Sequence, residues 1–261
     1  MDLGLVNKRA LVVGASQGLG KAIALALLAE GTTVWLAARS RSKIEAWCAA
    51  LPADMAARVT IHDLDLADGA SVDRLADAVL AGGGADILVN NCGGPAPGGV
   101  LDTAAETWTK AFTSMAASVF HLTDRLVRPM TERGWGRVIT IGSSGIEQPI
   151  PSLAVSNAIR GSVAGWSKSL AAEVAGQGVT VNMVLPGRVA TERVDSLDQN
   201  RASRGSLAIE EVRRQHRAEI PAGRYGTPEE FAAVVTFLAG VPAGYVTGSM
   251  IRVDGGLIRS L

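Results

Sequence analysis

The chain has few of the residues that cross-link secreted proteins or bind metals, and it has no excess of charge. Its 261 residues include two cysteines, three histidines and two tyrosines, and 25 basic residues balance 25 acidic ones. A formal net charge of zero gives no electrostatic footprint for nucleic acid or for a membrane surface. Cys48 and Cys92 lie far apart, match no metal-ligand spacing and fit a reducing compartment.

Long apolar runs are also missing. The opening segment MDLGLVNKRA lacks the apolar stretch of a signal peptide. No uninterrupted apolar segment is long enough to cross a bilayer. We therefore expect a cytoplasmic protein with neither a membrane nor a nucleic acid as partner and with no metal. The length predicts one domain over residues 1–261.

Short apolar runs alternate with longer segments of helical pattern. The apolar runs predict strands at 9–14, 33–39, 58–66, 85–91, 136–143, 178–187 and 249–256. The intervening patterns predict helices at about 19–31, 41–50, 69–81, 104–132, 152–175 and 228–240. Strands that alternate with helices, and that are apolar throughout, are typical of a parallel sheet covered on both faces. The sequence thus predicts a single-domain α/β protein with a Rossmann-like, doubly wound parallel sheet.

One long charged region, at about 188–226, separates the sixth predicted strand from the last predicted helix. Long irregular segments within α/β domains are usually lids or substrate loops. The run IEEVRRQHRAEI at 209–220 has a helical pattern, which favours an ordered lid over a disordered insert.

The segment VVGASQGLG places Gly14, Gly18 and Gly20 between the first strand and the first helix. Glycines here let a phosphate approach the backbone, and the helix N-terminus offers free N–H groups. The spacing is G-x-x-x-G-x-G rather than the commoner G-x-G-x-x-G. A tight turn without a ligand is the alternative, but the strand before and the helix after favour dinucleotide binding.

The second strand ends in AARSR, with Arg39 and Arg41 and no carboxylate. A carboxylate at this place accepts hydrogen bonds from the ribose of NAD, whereas an arginine suits the 2′-phosphate of NADP. Solvated arginines are the alternative. We expect NADP(H) rather than NAD(H).

Several motifs together resemble the short-chain dehydrogenase/reductase family, and within it the 3-oxoacyl-(acyl-carrier-protein) reductases. They are GASQGLG, NNCGG at 90–94, GRVITIGSSG at 136–145, VTVNMVLPGRVAT at 179–191 and VTGSMIRVDGG at 246–256. The resemblance implies an oxidoreductase that transfers hydride between NADP(H) and a small-molecule carbonyl or alcohol.

The resemblance also implies a cofactor site. By position, the pyrophosphate would lie against Gly14, Ser16, Gln17, Gly18, Leu19 and Gly20, the adenine against Asp65 and Leu66, the adenosine ribose against Asn91, Cys92 and Gly93, and the nicotinamide against Pro186, Gly187, Val189 and Thr191. Cys92 stands where the family usually has alanine, and nothing nearby in sequence would activate its thiol.

The catalytic positions depart from the family pattern. The family's Asn, Ser, Tyr and Lys fall by position on Met115, Ser143, Ser156 and Arg160. An aliphatic hydroxyl is a far weaker acid than a phenol, and arginine stays protonated in proteins. Arg160 can still bond the nicotinamide ribose and stabilise a developing oxyanion, without delivering a proton.

Three functions are compatible with this set. The chain is a reductase whose proton comes from water or from the substrate, with Ser143, Ser156 and Arg160 as an oxyanion site. Alternatively, it is a lyase or isomerase without net redox chemistry, or a non-catalytic NADP(H)-binding protein. The glycine loop predicts a bound nucleotide in every case.

Other polar residues carry weaker expectations. Tyr225 and Tyr245 are expected to be structural packing residues, as is His121. Glu147 is a candidate general acid, although a solvated loop carboxylate is favoured. His216 is expected to be solvated, and Arg188 and Arg193 either contact an anionic substrate or are solvated.

The two long predicted helices at 104–132 and 152–175 are rich in small residues. In the family the matching helices join subunits, which implies a homotetramer or homodimer. Burial against the chain's own sheet is the alternative.

Overall fold

The computed structural model describes residues 1–260 and contains one sheet of seven parallel strands. The strands are β1 (Arg9–Val13), β2 (Thr33–Ala38), β3 (Val59–Asp63), β4 (Ile87–Asn90), β5 (Gly136–Ile141), β6 (Val179–Pro186) and β7 (Met250–Val253). Their order across the sheet is β3-β2-β1-β4-β5-β6-β7, and every neighbouring pair is parallel. Every residue of β4 and β5 is buried, as the apolar runs predict.

Helices cover both faces of this sheet. They are α1 (Gly18–Ala29), α2 (Arg41–Cys48), α3 (Ala53–Ala56), α4 (Gly69–Ala81), α5 (Ala105–Phe112), α6 (Ser118–Glu132), α7 (Ala154–Val174), α8 (Glu192–Gly205), α9 (Ile209–Glu219) and α10 (Pro228–Ala239). On one face α1 and α10 pack through Leu27 and Phe231, and on the other α4 and α6 pack through Leu75 and Leu122. The predicted fold class is confirmed.

The connections run in opposite directions on the two sides of β1. The chain leaves β1 toward β2 and β3, then crosses back to β4 on the other side. In open α/β sheets this switch of direction opens a crevice at the carboxyl ends of the strands, where ligands bind. The loops after β1, β4, β5 and β6 all begin at this edge of the sheet. The candidate site is therefore expected there.

The predicted helix at 104–132 is interrupted. A π-helical turn over Thr113–Ala117 separates α5 from α6, and Met115 and Ala116 on this turn are buried. Single π turns occur frequently at functional sites. Apolar periodicity predicts a helix over this segment. It does not predict the wider π-helical turn, which has about one residue more per turn than an α-helix.

The expectation of a mostly irregular region at 188–226 is wrong, because α8 and α9 fill most of it. Thr191 begins α8 by accepting a hydrogen bond from the N–H of Val194 at 3.5 Å. Arg213 of α9 pairs with Asp195 of α8 at 3.1 Å. The charged residues of this stretch, which in sequence are typical of a loop, thus include an ion pair that joins α8 to α9.

Within residues 1–260, no helix combines the length and the low polarity that a membrane crossing requires. No group of three or more His, Cys, Asp or Glu side chains in the same residues is arranged to hold a metal ion.

Candidate active site

The glycine loop after β1 adopts a backbone that other residues would strain. Gly14 has φ +69° and Gly18 has φ +54°, in the left-handed region that favours glycine. A Cβ atom on Gly20 would lie 2.1 Å from the carbonyl oxygen of Gly14, so the turn closes only with glycine there. Asn91, after β4, donates from Nδ2 to the same carbonyl at 3.2 Å and joins the loops of the neighbouring strands.

The N-terminus of α1 is not capped by a side chain, although Glu192 Oε2 of α8 would lie 3.5 Å from a Cβ on Gly18. Its N-cap residue, Gln17, makes no capping side-chain bond, and the first turn carries no acidic residue. Instead Gln17 Oε1 accepts from Lys43 Nζ at 2.6 Å. Ser16 and Leu19 are half-buried in the same loop, and a Cβ on Gly93 would meet nothing within 4 Å. Uncapped N–H groups beside a glycine loop are what a pyrophosphate requires, so these residues fit a dinucleotide.

The end of β2 carries two arginines with different partners. Arg41 pairs with Glu45 at 2.7 Å and lies 3.7 Å from Asp63. The motif AARSR contains no carboxylate, but the folded chain places two beside Arg41. Arg39 is exposed and forms no ion pair within the described part of the chain. The positive charge that remains for a 2′-phosphate therefore belongs to Arg39.

The predicted adenine residues follow β3. Asp65 is exposed, and its Oδ1 accepts from the N–H of Ala67 at 2.9 Å. The carbonyl of Leu66 accepts from the Ser118 hydroxyl at 2.7 Å. These bonds hold the loop after β3 against the start of α6.

The segment after β6 contains the predicted nicotinamide residues. Pro186 ends β6, and the N–H of Gly187 donates to Val253 of β7 at 3.0 Å. A Cβ on Gly187 would lie 2.6 Å from Asp254, which requires glycine at this contact. Val189 is buried, and Thr191 follows as the N-cap of α8.

Three residues predicted to be catalytic, Ser143, Ser156 and Arg160, lie in or near the loops at the carboxyl ends of β4 and β5. Ser143 Oγ accepts from the N–H of Gly145 at 3.1 Å, where it caps a short 3₁₀ turn. Ser156 is buried in the first turn of α7. One turn further along α7, Arg160 donates from Nη1 to the carbonyl of Ile141 at 2.9 Å and from Nη2 to that of Cys92 at 3.1 Å. Arg160 thus links the ends of these two strands.

A small cavity lies beside Arg160. Its lining includes Cys92, Met115, Thr140 and Met183. Met115 is buried on the π-helical turn, and its carbonyl lies 3.9 Å from the Cys92 Sγ. Met115, which the sequence comparison places at the family's Asn position, therefore brings an apolar side chain to this cavity.

Arg193 and Ser156 both lie near Gly94. Arg193 Nη2 donates to the carbonyl of Pro95 at 2.9 Å. A Cβ on Gly94 would lie 3.2 Å from the same Nη2 and 3.9 Å from Ser156 Oγ. Arg193 is exposed at the surface; the part of its guanidinium that is shielded from water, and then the positive charge of Arg160, lower its pKa. Like charges thus lie close together around the loop 92–95.

A different set of charges is buried within the region 188–226. Asp198 is fully buried, and it contacts His216 Nδ1 at 2.9 Å, the Tyr225 hydroxyl at 2.8 Å and Arg188 Nη1 at 3.4 Å. Burial and the bond to Asp198 raise the pKa of Tyr225 to about 12. We call these residues and Arg201 the Asp198 cluster.

The Asp198 cluster fixes the tautomer of His216. Arg201 Nη1 lies 2.7 Å from His216 Nε2. Arginine only donates, so Nε2 accepts and the ring proton is on Nδ1, directed at Asp198. Burial and the charge of Arg188 lower the pKa of His216. The expectation that His216 is solvated is wrong, because the fold buries it against α8.

The contacts of Glu147, the two tyrosines and two arginines show whether each side chain is solvated or packed. Glu147 is not a solvated loop residue, because it forms an ion pair with Arg252 of β7 and its side chain is only 15% exposed. Tyr225 is structural, but Tyr245 is fully exposed and is not a packing residue. Arg188 is neutralised by Asp198, whereas Arg193 has no carboxylate partner among residues 1–260.

Sequence reasoning missed two features of the site. Asp198 carries no signal, because one aspartate in a charged stretch looks like any other. Gly94 and Pro95 lie in the Gly- and Pro-rich run CGGPAPGG, whose composition marks a loop at a strand end and could have indicated their role.

The sheet order, the glycine loop and the polar groups at the carboxyl edge define a doubly wound nucleotide-binding protein. A family model described as "Enoyl-(Acyl carrier protein) reductase" matches residues 14–258. The chain belongs to the short-chain dehydrogenase/reductase family.

Individual relatives cover nearly the whole chain. It is 36% identical over 252 residues to the 3-oxoacyl-(acyl-carrier-protein) reductase FabG of Escherichia coli strain K12, which covers 96% of this chain and 97% of that one. It superposes on L-sorbose reductase from Gluconobacter frateurii, solved with NADPH and L-sorbose, with a TM-score of 0.94, 30% identity and full coverage of both chains. An actinorhodin polyketide ketoreductase solved with NADPH gives a TM-score of 0.90 at 32% identity, covering 97% of this chain and 98% of that one.

Proposed function

We propose that this chain is an NADP(H)-dependent oxidoreductase that reduces the carbonyl group of a small molecule and needs no tyrosine as proton donor. Ser143, Ser156 and Arg160 are its proposed catalytic residues. The relatives support the reaction class, since FabG is named as a 3-oxoacyl reductase and the two structural neighbours as reductases solved with NADPH. NADPH, when bound, supplies the hydride that adds to the carbonyl carbon.

The proposed cofactor site consists of the residues carried over from the family. It comprises Gly14, Ser16, Gln17, Gly18, Leu19, Gly20, Arg39, Asp65, Leu66, Asn91, Cys92, Gly93, Arg160, Pro186, Gly187, Val189 and Thr191. Its support is the glycine-only turn between β1 and α1, the uncapped N-terminus of α1 and the unpaired charge of Arg39.

The observation that carries the proposal is the position of Arg160. Its guanidinium is bonded to the carbonyls of Ile141 and Cys92 and therefore lies at the edge where β4 and β5 end. Two of its five N–H donors suffice for these bonds, which leaves others for ribose hydroxyls or a substrate oxygen. A fixed positive charge here stabilises the oxyanion that develops as a carbonyl is reduced.

The serines supply hydrogen bonds to the same oxygen. Ser143 Oγ accepts from the N–H of Gly145, so its own O–H is available to donate. Ser156 contributes a second hydroxyl from α7. Neither is acidic enough to replace a phenol, and Arg160 stays charged. The proton that completes the alcohol comes from water or from the substrate.

Two further features remain predictions. We propose that residues 188–226, with α8 and α9, form a substrate lid within a single domain 1–261, supported by the overlap of this region with the nicotinamide segment at Val189 and Thr191. We also expect a homotetramer or homodimer through α6 and α7. On these helices Phe120 and Trp166 stack with centroids 4.4 Å apart beside a surface groove.

The test follows the absorbance of the reduced nicotinamide with purified protein, NADPH and a panel of ketones, aldehydes and β-ketoacyl thioesters. We expect substrate-dependent oxidation that falls by about 10²–10³-fold in Ser143→Ala, the usual cost of losing one oxyanion donor. Ser169→Ala on α7, whose hydroxyl bonds only the Gly165 carbonyl, is the matched control.

Equal rates in Ser143→Ala and the wild type would contradict the assignment of Ser143. A protein that binds NADPH but oxidises it with no carbonyl of the panel would favour the lyase or isomerase function, or a non-catalytic NADP(H)-binding protein.

A further inference from the structure

The loop of residues 92–95 lies between two guanidinium groups. Arg160 of α7 donates to the carbonyl of Cys92, and Arg193 of α8 donates to that of Pro95. A side chain on Gly94 would separate Arg193 from Ser156, because its Cβ would lie within 4 Å of both. Glycine at this position therefore leaves open the space between Arg193 and Ser156, one of the proposed catalytic residues.

Neither guanidinium has an anionic partner. Among the ion pairs within residues 1–260, none includes Arg160 or Arg193, although most other arginines near this edge are paired, such as Arg188 with Asp198 and Arg252 with Glu147. Of the five donors of Arg193, one bonds Pro95 and the rest have no acceptor in the described part of the chain. The positive charge of Arg160 lowers the pKa of Arg193, and no ion pair within residues 1–260 offsets either charge.

We propose that Arg193 is the specificity-determining residue for a carboxylate on the substrate, so that the preferred substrate class is the oxo acids. This inference rests on the proposed reductase function. A carboxylate offers two acceptor oxygens that match the planar fork of an arginine. Bound at Arg193, it would offset the repulsion between the two guanidiniums while the neighbouring carbonyl contacts Ser143, Ser156 and Arg160.

The substrate test uses acetoacetate and methyl acetoacetate, which share a reacting carbonyl and differ in the negative charge. We expect the wild type to prefer the acid in kcat/KM. Arg193→Met should reduce the ratio of acid to ester by about tenfold or more, the effect of losing a charge-assisted hydrogen bond. Arg193→Lys should retain part of the preference. Arg259→Met, at an exposed arginine that lies outside the proposed lid and forms no ion pair within residues 1–260, controls for net charge.

A binding experiment separates this inference from the proposed function. Calorimetric titration of acetoacetate into NADP⁺-loaded protein needs no turnover, so an affinity that falls in Arg193→Met supports the inference even if no reduction is seen. Equal reduction of acid and ester, or no binding of acetoacetate, would overturn the inference. It would also be overturned if Arg193→Met weakened binding of NADPH itself, because Arg193 would then serve the cofactor.

Discussion

Arg188 and Arg193 lie on either side of Thr191, and the fold gives them opposite surroundings. Arg188 contacts the fully buried Asp198, within a cluster in which each charged group has a partner. Arg193 contacts a backbone carbonyl and shares its surroundings with another guanidinium. Residue type and position in sequence are nearly the same. The difference shows that the partner of an arginine, rather than its presence, indicates whether it serves the fold or a ligand.

Arg137 refines this comparison. It is buried and has no carboxylate partner within the described residues, yet its donors reach the carbonyls of Gly136, Gly178 and Gly240 and its guanidinium lies 4.5 Å above the Trp135 ring. Its hydrogen-bonding capacity is used by the fold. Arg193 differs from Arg137 because only one of its donors has an acceptor in the described part of the chain and because it lies near Gly94 and the proposed catalytic Ser156.

The largest expected effect is on stability, from Asp198→Ala. Removing the acceptor leaves Arg188, His216 and Tyr225 buried without their common partner, which should lower the free energy of unfolding by about 3–5 kcal/mol. Urea unfolding measures it. Asp195→Ala on the same helix removes an exposed carboxylate and should cost about 1 kcal/mol or less. Similar costs for the two variants would contradict the structural role of the Asp198 cluster.

A smaller effect, on cofactor preference, is expected at the end of β2. Arg39 and Arg41 there differ as Arg193 and Arg188 do, because only Arg41 has a carboxylate partner. Arg39→Asp should reduce the preference for NADPH over NADH, measured as the ratio of kcat/KM values, by about 10–100-fold. Arg41→Met should change it little, because Glu45 already neutralises Arg41. An unchanged ratio in Arg39→Asp would remove the basis for a 2′-phosphate site there.

The smallest effect concerns pH. The pKa of His216 is lowered below its ordinary 6.5 by burial and by Arg188, while Asp198 and Glu219 oppose the shift and Arg201 adds to it. In the unfolded chain the imidazole binds a proton near 6.5, whereas in the folded protein it does so only at lower pH. Stability is therefore present above pH 6.5 and declines as the pH falls from there toward the folded pKa.

Urea midpoints measured over about pH 5 to 8 should show this decline, and His216→Gln should reduce it. A wild-type profile that matches the variant throughout would show that His216 does not titrate differently in the two states. That result would contradict the lowered pKa of His216.

The strands, the glycine loop and the positions of Ser156 and Arg160 follow from the sequence because they depend on local patterns: apolar runs, glycine spacing and fixed distances along one helix. Helix α8 does not follow, because ERVDSLDQNRASRG has little apolar periodicity and is held by Thr191, Asp195 and Asp198. The burial of His216 and the pairing of Glu147 with Arg252 are tertiary contacts between distant segments. No local pattern encodes them.

Within the site, sequence gives residue types but not hydrogen bonds. The two carbonyls that hold Arg160 end different strands, and the π-helical turn that places Met115 beside it is one residue longer than the helical period. The contrast between Arg188 and Arg193 is visible only once Asp198 is seen to face one of them.

The most direct test of the account is the fate of the hydride. NADPH deuterated at the transferring carbon is incubated with protein and acetoacetate, and the product is analysed by mass spectrometry. We expect deuterium at the new carbinol carbon, in amounts that fall sharply in Ser143→Ala. Product without the label, or labelled equally by Ser143→Ala, would contradict hydride transfer at a site built from Ser143, Ser156 and Arg160.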